Sequence, residues 1–373
     1  MIDELIARAR EFVEQELRPV ALAYDESEAL PRDELRRAAE LGLTSYDLPE
    51  EYGGGGVTGL GDSIRVLEEL TWGDSPIALV ITQGGFFAWP VLALGTEEQK
   101  RRWLPALCGP EPPAVAVAIT EPGAGSDAAA ITTAAERVDG GYVLNGHKTF
   151  IGEAHIAERA VVFARVAPGT GARGITAFVV EHGDEGFRRG ERLPKLGSRC
   201  FPAGELHFEN CFVADDRRLG DEGRGFSGLM WVFDRARVQL AANSLGIGRA
   251  ALEHAVAHAK EREAFGRPIA DYQAVSFRLV DAKLKLDQAR LLARHAARLC
   301  DDGQRFSTEA AMAKLAASEA AMFATWAACQ TLGGSGYIRD SPAQKWLRDA
   351  KLDEIWDGTS DIMRLIVARN LFR

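Results

Sequence analysis

From residue 222 to residue 341 the chain contains a single proline, Pro268. Proline ends or kinks a helix, so a stretch this free of it permits helices far longer than average. Three long apolar-periodic segments fill the region. In the second, Tyr272, Val275, Leu279, Leu286 and Ala289 fall on one helical face. The segments break at "FGRPIADY", "CDDGQRFS" and "LGGSGYIRDSP", where glycine, proline and small polar residues cluster. The pattern predicts a bundle of long helices over residues 223–373.

The rest of the chain divides in two. Residues 1–114 read as helices broken by loops. "PRDELRRAAELGL" has Pro31 placed for a first turn, Thr96 is a candidate N-cap, and "CGPEPP" closes the region. Residues 115–222 change character. "YVLNGHKTFIG", "RAVVFARV", "GITAFVVE" and "GELHFENCFVA" are short, rich in β-branched and aromatic residues, and separated by Asn-Gly, Pro-Gly and His-Gly turns. They predict an antiparallel β domain. The expected fold is α+β, with domains in the order helical, β, helical.

Of the 373 residues, 54 are acidic and 44 basic, a net charge of −10, which argues against a polyanion surface such as nucleic acid needs. The five cysteines, Cys108, Cys200, Cys211, Cys300 and Cys329, are far apart. No Cys-x-x-Cys pair and no zinc spacing occurs, so free thiols in a reducing compartment and no metal are expected. "MIDELIARAREFVEQELRP" is acidic and amphipathic, unlike a signal or transit peptide. No window reads as apolar enough to span a bilayer. A cytoplasmic protein is expected.

Candidate chemistry lies in the loops. "AITEPGAGSD" (118–127) follows an apolar strand. Gly123 and Gly125 let backbone N–H groups approach a ligand, and Thr120 and Ser126 add hydroxyls. "FDRARVQLAANSLGIG" places Arg235 and Arg237 near Asp234 at a helix start, either as an ion-pair cluster or as a diphosphate site. "QTLGGSGY" reads equally as a helix C-cap. No P-loop, no Gly-x-Gly-x-x-Gly after a first strand and no Ser/His/Asp order is present. "EIWDGTSD" sets Asp357 between Trp356 and Gly358, an apolar setting for a carboxylate.

Taken in order, "PEEYGG", "TEEQK", "TEPGAGSD", "NGHK", "GRGF", "REAFGRPI", "LGGSGY", "RDAK" and "DGTSDIMR" resemble the acyl-CoA dehydrogenase family along essentially the whole chain. The resemblance implies an N-terminal helical domain, a middle β-barrel-like domain and a C-terminal four-helix bundle. It also implies FAD, an acyl-CoA substrate, electron-transfer flavoprotein as acceptor, and a homotetramer built as a dimer of dimers. By this resemblance Ile119, Thr120, Gly125 and Ser126 line the flavin with Phe150, Ile151 and Gly152, and Ser126 also lies near the thioester. Arg262, Phe265 and Gln273, with Gln330, Leu332, Gly333 and Gly334, match segments that reach a neighbouring subunit's FAD. Asp234 and Arg237 match residues that hold the CoA part. Gly358, Thr359 and Asp361 follow the catalytic base and touch substrate and flavin. The implied reaction is α,β-dehydrogenation, in which the base removes the α-proton and a hydride leaves the β-carbon for flavin N5.

Three positions depart from the family pattern. Asp357 stands where the base is usually Glu. The alternative position for that Glu, on the first bundle helix, is Ala236. Asp is shorter by about 1.5 Å, and misplacement of about that size can cost a hundredfold in rate. Relatives with Asp here act on alicyclic thioesters such as cyclohexanecarboxyl-CoA, or are nitroalkane oxidases. Asp234, Arg237 and the intact "TEPGAGSD" favour the CoA reading. A dehydrogenase of carrier-protein-bound acyl groups is a further alternative. Gly152 replaces the usual Thr or Ser, either retuning the flavin or making room for substrate, and Phe150 replaces a flavin-packing Trp. Phe86, Phe87 and Trp89 lie where the family's first domain borders the acyl chain, which leans the reading toward short or cyclic acyl groups.

Overall fold

The computed structural model describes residues 2–167 and 169–372. The first part holds helices α1 (Ile2–Phe12), α2 (Ala21–Ser27), α3 (Arg32–Glu40), α4 (Leu60–Leu94) and α5 (Glu97–Trp103). Helix α3 follows Pro31 directly. Thr96 opens α5 with a capping box, its side chain accepting from the Gln99 N–H while Gln99 Oε1 accepts from the Thr96 N–H.

The length of α4 is not apparent in the sequence, because Pro76 and Pro90 lie inside it. Its backbone breaks at Asp74 (φ −159°, ψ 121°) and restarts around Pro76. Asp74 Oδ1 accepts from the Ile77 N–H at 3.1 Å and so caps the second half. This helix also corrects the expectation that no window is apolar enough for a bilayer, since α4 is long and apolar enough by composition. That apolarity serves the interior: Leu70, Ile77, Ile81, Phe87 and Val91 are all buried.

The middle part is one eight-stranded sheet. It comprises β1 (Val115–Ala118), β2 (Ala134–Val138), β3 (Gly141–Gly152), β4 (Arg159–Arg165), β5 (Ile175–Glu181), β6 (Phe187–Arg192), β7 (Ala203–Ala214) and β8 (Arg218–Leu219). The order is β6-β7-β3-β2-β4-β5-β8, with β1 paired to β4 off this path. Two expectations are corrected here. The sheet is mixed, because β1 runs parallel to β4 and β2 meets β4 in parallel at Ala134 and Arg165. It is also open rather than barrel-like, with β6 and β8 as free edges. Those edges are protected without closure: β8 is two residues long, and β6 carries Arg188, Arg189 and Arg192. Helices cover the other exposed apolar surface. Val161 and Phe163 of β4 pack toward α4 and α5, while Ala160, Val162 and Ala164 face the second core with Leu206 and Phe208 of β7.

The last part contains α6 (Gly225–Glu261), a two-stranded hairpin β9 (Glu263–Ala264) and β10 (Arg267–Pro268), then α7 (Gln273–Asp301), α8 (Ser307–Leu332), α9 (Gly334–Tyr337), α10 (Pro342–Asp353) and α11 (Ser360–Leu371). Leu279, Leu286 and Ala289 of the predicted α7 stripe are buried, and Tyr272 and Val275 half-buried. One apolar core runs from Phe12, Leu70 and Ile77 through Leu245 of α6 to Leu286 and Ala321. The N-terminal helices and the bundle therefore share an interior, and α6 is its spine.

Candidate active site

Asp357 lies on the turn from α10 to α11. Its φ is +49° and that of Gly358 is +100°. Two successive left-handed residues reverse the chain sharply, and Asp is among the few side chains that tolerate the first of these positions readily. The turn is tied at both ends. Upstream, the buried Asp353 carboxylate accepts from Asn243 Nδ2 at 3.0 Å, Ser244 Oγ at 2.7 Å and Trp356 Nε1 at 3.0 Å. Downstream, Thr359 Oγ1 caps α11 by accepting from the Ile362 N–H at 3.2 Å. From α8, Lys314 Nζ donates to the Gly358 carbonyl at 2.8 Å.

The Asp357 carboxyl is half-buried. Burial raises it above the ordinary Asp range, and the positive charges of Lys314 and Arg237 pull against that rise. Arg237 is buried; it donates to Asp234 Oδ1 at 2.9 Å and its Nε has no partner. Asp234 also accepts from Ser307 Oγ. Among the described residues, the Asp357 backbone N–H has no hydrogen-bond partner, so it is free to donate to a ligand. The result is a carboxyl held above the ordinary Asp range, next to a spare backbone donor.

At Ala236 no second base exists. The residue packs with Trp89 and Val232 in a small apolar cluster that Phe86 borders, and Phe86 meets Trp89 edge-on at 5.7 Å. Phe87, by contrast, belongs to the core beneath the sheet.

Strand β3 brings the other half of the site together. The buried Lys148 donates to the Ile119 carbonyl at 2.9 Å and to Glu121 Oε1 at 2.8 Å, and the Thr149 N–H donates to the Thr120 carbonyl at 3.0 Å. The Thr120–Ser126 loop is thereby fastened beside Phe150, Ile151 and Gly152. The β3–β7 register slips between Lys148 and Ile151, and in this bulge Phe150 takes φ +58° and stays 71% exposed. Added Cβ atoms at Gly123 and Gly125 would meet nothing within 4 Å.

Gly152 does not leave the vacant space that the sequence suggests. A Cβ there would stand 2.8 Å from Phe201 Cζ. The Phe201 ring in turn meets Trp356 edge-on at 6.3 Å, next to Asp357. Phe201 thus links the β3 end of the site to the Asp357 turn. Sequence reasoning passed over it, and also over Lys314, whose signal was a lone cation in the alanine-rich "AAMAKLAASEAAM".

The remaining predicted residues lie elsewhere on this chain. Arg262, Phe265, Gln273, Gln330, Gly333 and Gly334 are exposed, and Leu332 is buried under them. Phe265 is 96% exposed at φ +52°, and Tyr337 beside this region is 86% exposed. Among the described residues, no hydrogen bond, ion pair or ring contact joins them to Asp357. Asp361 is exposed on α11, beside Arg364.

This arrangement suits a large planar cofactor. A glycine-bearing loop open to solvent, a backbone pinned by Lys148, and an aromatic ring held outward by a bulge are features that a flat heteroaromatic ring and its polar chain would cover. Family models match all three parts of the chain. The N-terminal, middle and C-terminal acyl-CoA dehydrogenase domains match residues 2–111, 116–211 and 223–372. The chain is 40% identical to the human mitochondrial short-chain specific acyl-CoA dehydrogenase over 371 residues, covering 99% of this chain and 89% of that protein. Its fold overlays that of butyryl-CoA dehydrogenase from Megasphaera elsdenii at TM-score 0.95 and 34% identity, covering 100% of this chain and 98% of the other. It matches equally well, at TM-score 0.95 and 38% identity over 100% and 98% of the two chains, a structure from work on the electron transferring flavoprotein of Acidaminococcus fermentans and flavin-based electron bifurcation. The chain belongs to the acyl-CoA dehydrogenase family. It is an FAD-dependent enzyme of that family.

Proposed function

We propose that the protein dehydrogenates a short-chain acyl-CoA between its α and β carbons, with Asp357 as the base. The observation that carries this reading is the Asp357 turn: a carboxyl raised by burial, flanked by Lys314 and Arg237, beside a spare backbone N–H. Asp357 takes the α-proton onto its carboxylate. The spare N–H is suited to the thioester carbonyl, where negative charge develops as that proton leaves. Lys314 and Arg237 favour the ionised carboxyl, the form that acts as a base. Phe150, Ile151, Gly152 and the Thr120–Ser126 loop would hold the FAD, which supplies the hydride acceptor.

The substrate reading rests on the walls and on the relatives. Phe86, Trp89 and Val232 surround Ala236 with apolar bulk, and Phe201 fills the side above Gly152. The human relative is described as short-chain specific and the Megasphaera structure as a butyryl-CoA dehydrogenase. Nothing among these relatives points to an alicyclic ring, so the leading substrate is a short straight chain. Electron-transfer flavoprotein is the acceptor that the Acidaminococcus match favours. The exposed Phe265 and Tyr337 support an assembly in which a second copy covers them. The five free cysteines support a cytoplasmic location.

Anaerobic titration of the purified holoenzyme with butyryl-CoA, octanoyl-CoA, cyclohexanecarboxyl-CoA and nitroethane, following the flavin absorbance, tests this. Butyryl-CoA should bleach the flavin at the lowest concentration. Asp357→Asn should slow bleaching by about a hundred- to ten-thousandfold, the usual contribution of a positioned base. Bleaching by the cyclic thioester alone would restore the alicyclic reading, and bleaching by nitroethane alone would place the protein with the oxidases.

A further inference from the structure

On the face of β3 and β7 opposite Lys148, three ligating side chains converge, and Thr149 Oγ1 donates to one of them, Glu205 Oε1, at 3.4 Å. His147 and His207 are directly paired across the two antiparallel strands. Their rings stack at 4.3 Å with 16° between planes. Glu205 is two residues before His207 on β7, so it projects from the same face. One ligand atom from each of the three lies within 4.8 Å of the others.

We propose that His147, Glu205 and His207 form a binding site for a divalent transition-metal ion, with zinc the best fit. Four observations carry the assignment. The first is spacing. A tetrahedral zinc that holds nitrogen and oxygen at about 2.0–2.1 Å sets its ligand atoms about 3.3–3.4 Å apart. His147 Nε2 lies 3.4 Å from Glu205 Oε1, and His207 Nε2 lies 3.5 Å from Glu205 Oε2. These separations are long for a charge-assisted hydrogen bond and right for the edge of a coordination polyhedron. The second is an unmet valence: His147 Nε2 is buried from solvent and has no hydrogen-bond partner. The third is room. A Cβ at Gly190 of β6 would stand 2.9 Å from His207 Nε2, so glycine keeps the approach to that nitrogen open.

The fourth is charge. Arg188 of β6 is paired directly with His207 and projects from the same face, so its charge bears on the site, but its side chain is mostly exposed, where solvent screens it. Each arginine of β6 has another partner: Arg188 is 3.7 Å from Glu209, Arg189 contacts His182 at 3.1 Å, and Arg192 pairs with Glu28 at 3.2 Å. Two imidazoles and a carboxylate suit zinc, nickel or copper and not magnesium or calcium. Three protein ligands leave a further position for water.

His147 is far in sequence from Glu205 and His207, so only the pairing of β3 with β7 assembles the three. An ion here would pin β3 to β7 immediately before the bulge that presents Phe150.

Equilibrium dialysis of chelator-stripped holoenzyme against Zn²⁺ tests the proposal. The expected result is one saturable zinc per chain and a Tm that rises with added zinc but not with magnesium. His147→Ala and His207→Ala should each abolish both effects. Glu205→Gln keeps the side-chain shape and should weaken binding by about tenfold or more, with bound FAD checking that each variant is folded. No saturable zinc, or zinc binding that survives loss of either histidine, overturns the assignment.

Discussion

The charge balance around Asp357 sets how the enzyme responds to pH. Burial pushes the carboxyl up, and Lys314 is the stronger of the two cations that restrain it. A base must be ionised to act, so kcat/KM should climb with pH through the pKa of Asp357 and level off above it. Lys314→Met keeps the length of the side chain and removes its charge. The carboxyl then loses its main stabiliser, so its pKa rises and the acid limb of the profile moves to higher pH. A pH–rate profile of the two proteins on butyryl-CoA checks this. An unmoved limb would show that Lys314 only braces the Gly358 carbonyl. The left-handed backbone at Asp357 gives a further reason for the residue type. Asp visits φ near +49° more readily than most residues, so this turn accommodates Asp despite its shorter reach.

At the scale of elements, the end of β3 and the segment just before β7 are fitted to each other. Gly152 and Phe201 act as a pair, since one has no side chain where the other has a ring. Gly152→Thr restores the family's usual hydroxyl but places a Cβ against Phe201 Cζ. Overpacking of this kind costs about 1–3 kcal/mol. The single variant should therefore lose stability in denaturant melts, and Gly152→Thr/Phe201→Ser should recover most of it. Equal losses in both proteins would mean that the ring is not what excludes a side chain at 152. This pairing also marks where sequence reasoning stopped. The strands around "NGHKTFIG" and "GELHFENCFVA" were legible from alternation and turn residues, as were the long helices from the lack of proline. Helix α4 was not, because Pro76 and Pro90 read as breaks although Asp74 and the core carry the chain through. The open, mixed form of the sheet was hidden as well, because β1 pairs with β4 across intervening strands, and alternation within a segment does not name its partner. For the same reason the Asp357 loop and the Thr120–Ser126 loop were each recognised, while Phe201 and Lys314, which tie them in, were not.

Over the whole molecule, one buried ion cluster joins the three parts of the chain. Lys345 of α10 donates to Asp74 at the break in α4 and to Asp349 at 2.8 Å. Asp349 Oδ1 also accepts from the N–H of Ser198, in the segment that ends with Phe201, at 2.6 Å. The helical N-terminal part, the β part and the bundle therefore meet at two carboxylates and one ammonium, all fully buried. Burial raises Asp74 to about 6, even though Lys345 pulls it down. Lys345→Met would leave the two carboxylates without the ammonium that bonds both, and breaking a buried pair in this way costs about 3–5 kcal/mol. The penalty should depend on pH with a definite sign. A carboxyl raised above its unfolded value keeps its proton longer in the folded state, so its stabilising contribution is present below the unfolded pKa and is lost as pH rises through the folded one. Without Lys345 the folded pKa rises further and that loss deepens. The Tm gap between the parent and Lys345→Met should thus be small near about pH 5 and wide near about pH 8, where Asp74 is forced to ionise in the buried junction. Because Ser198 and Phe201 belong to one segment, the variant should also loosen the wall beside Gly152 and raise the KM for butyryl-CoA. A Tm gap that stayed constant with pH would mean that Lys345 stabilises the junction by packing and not by charge.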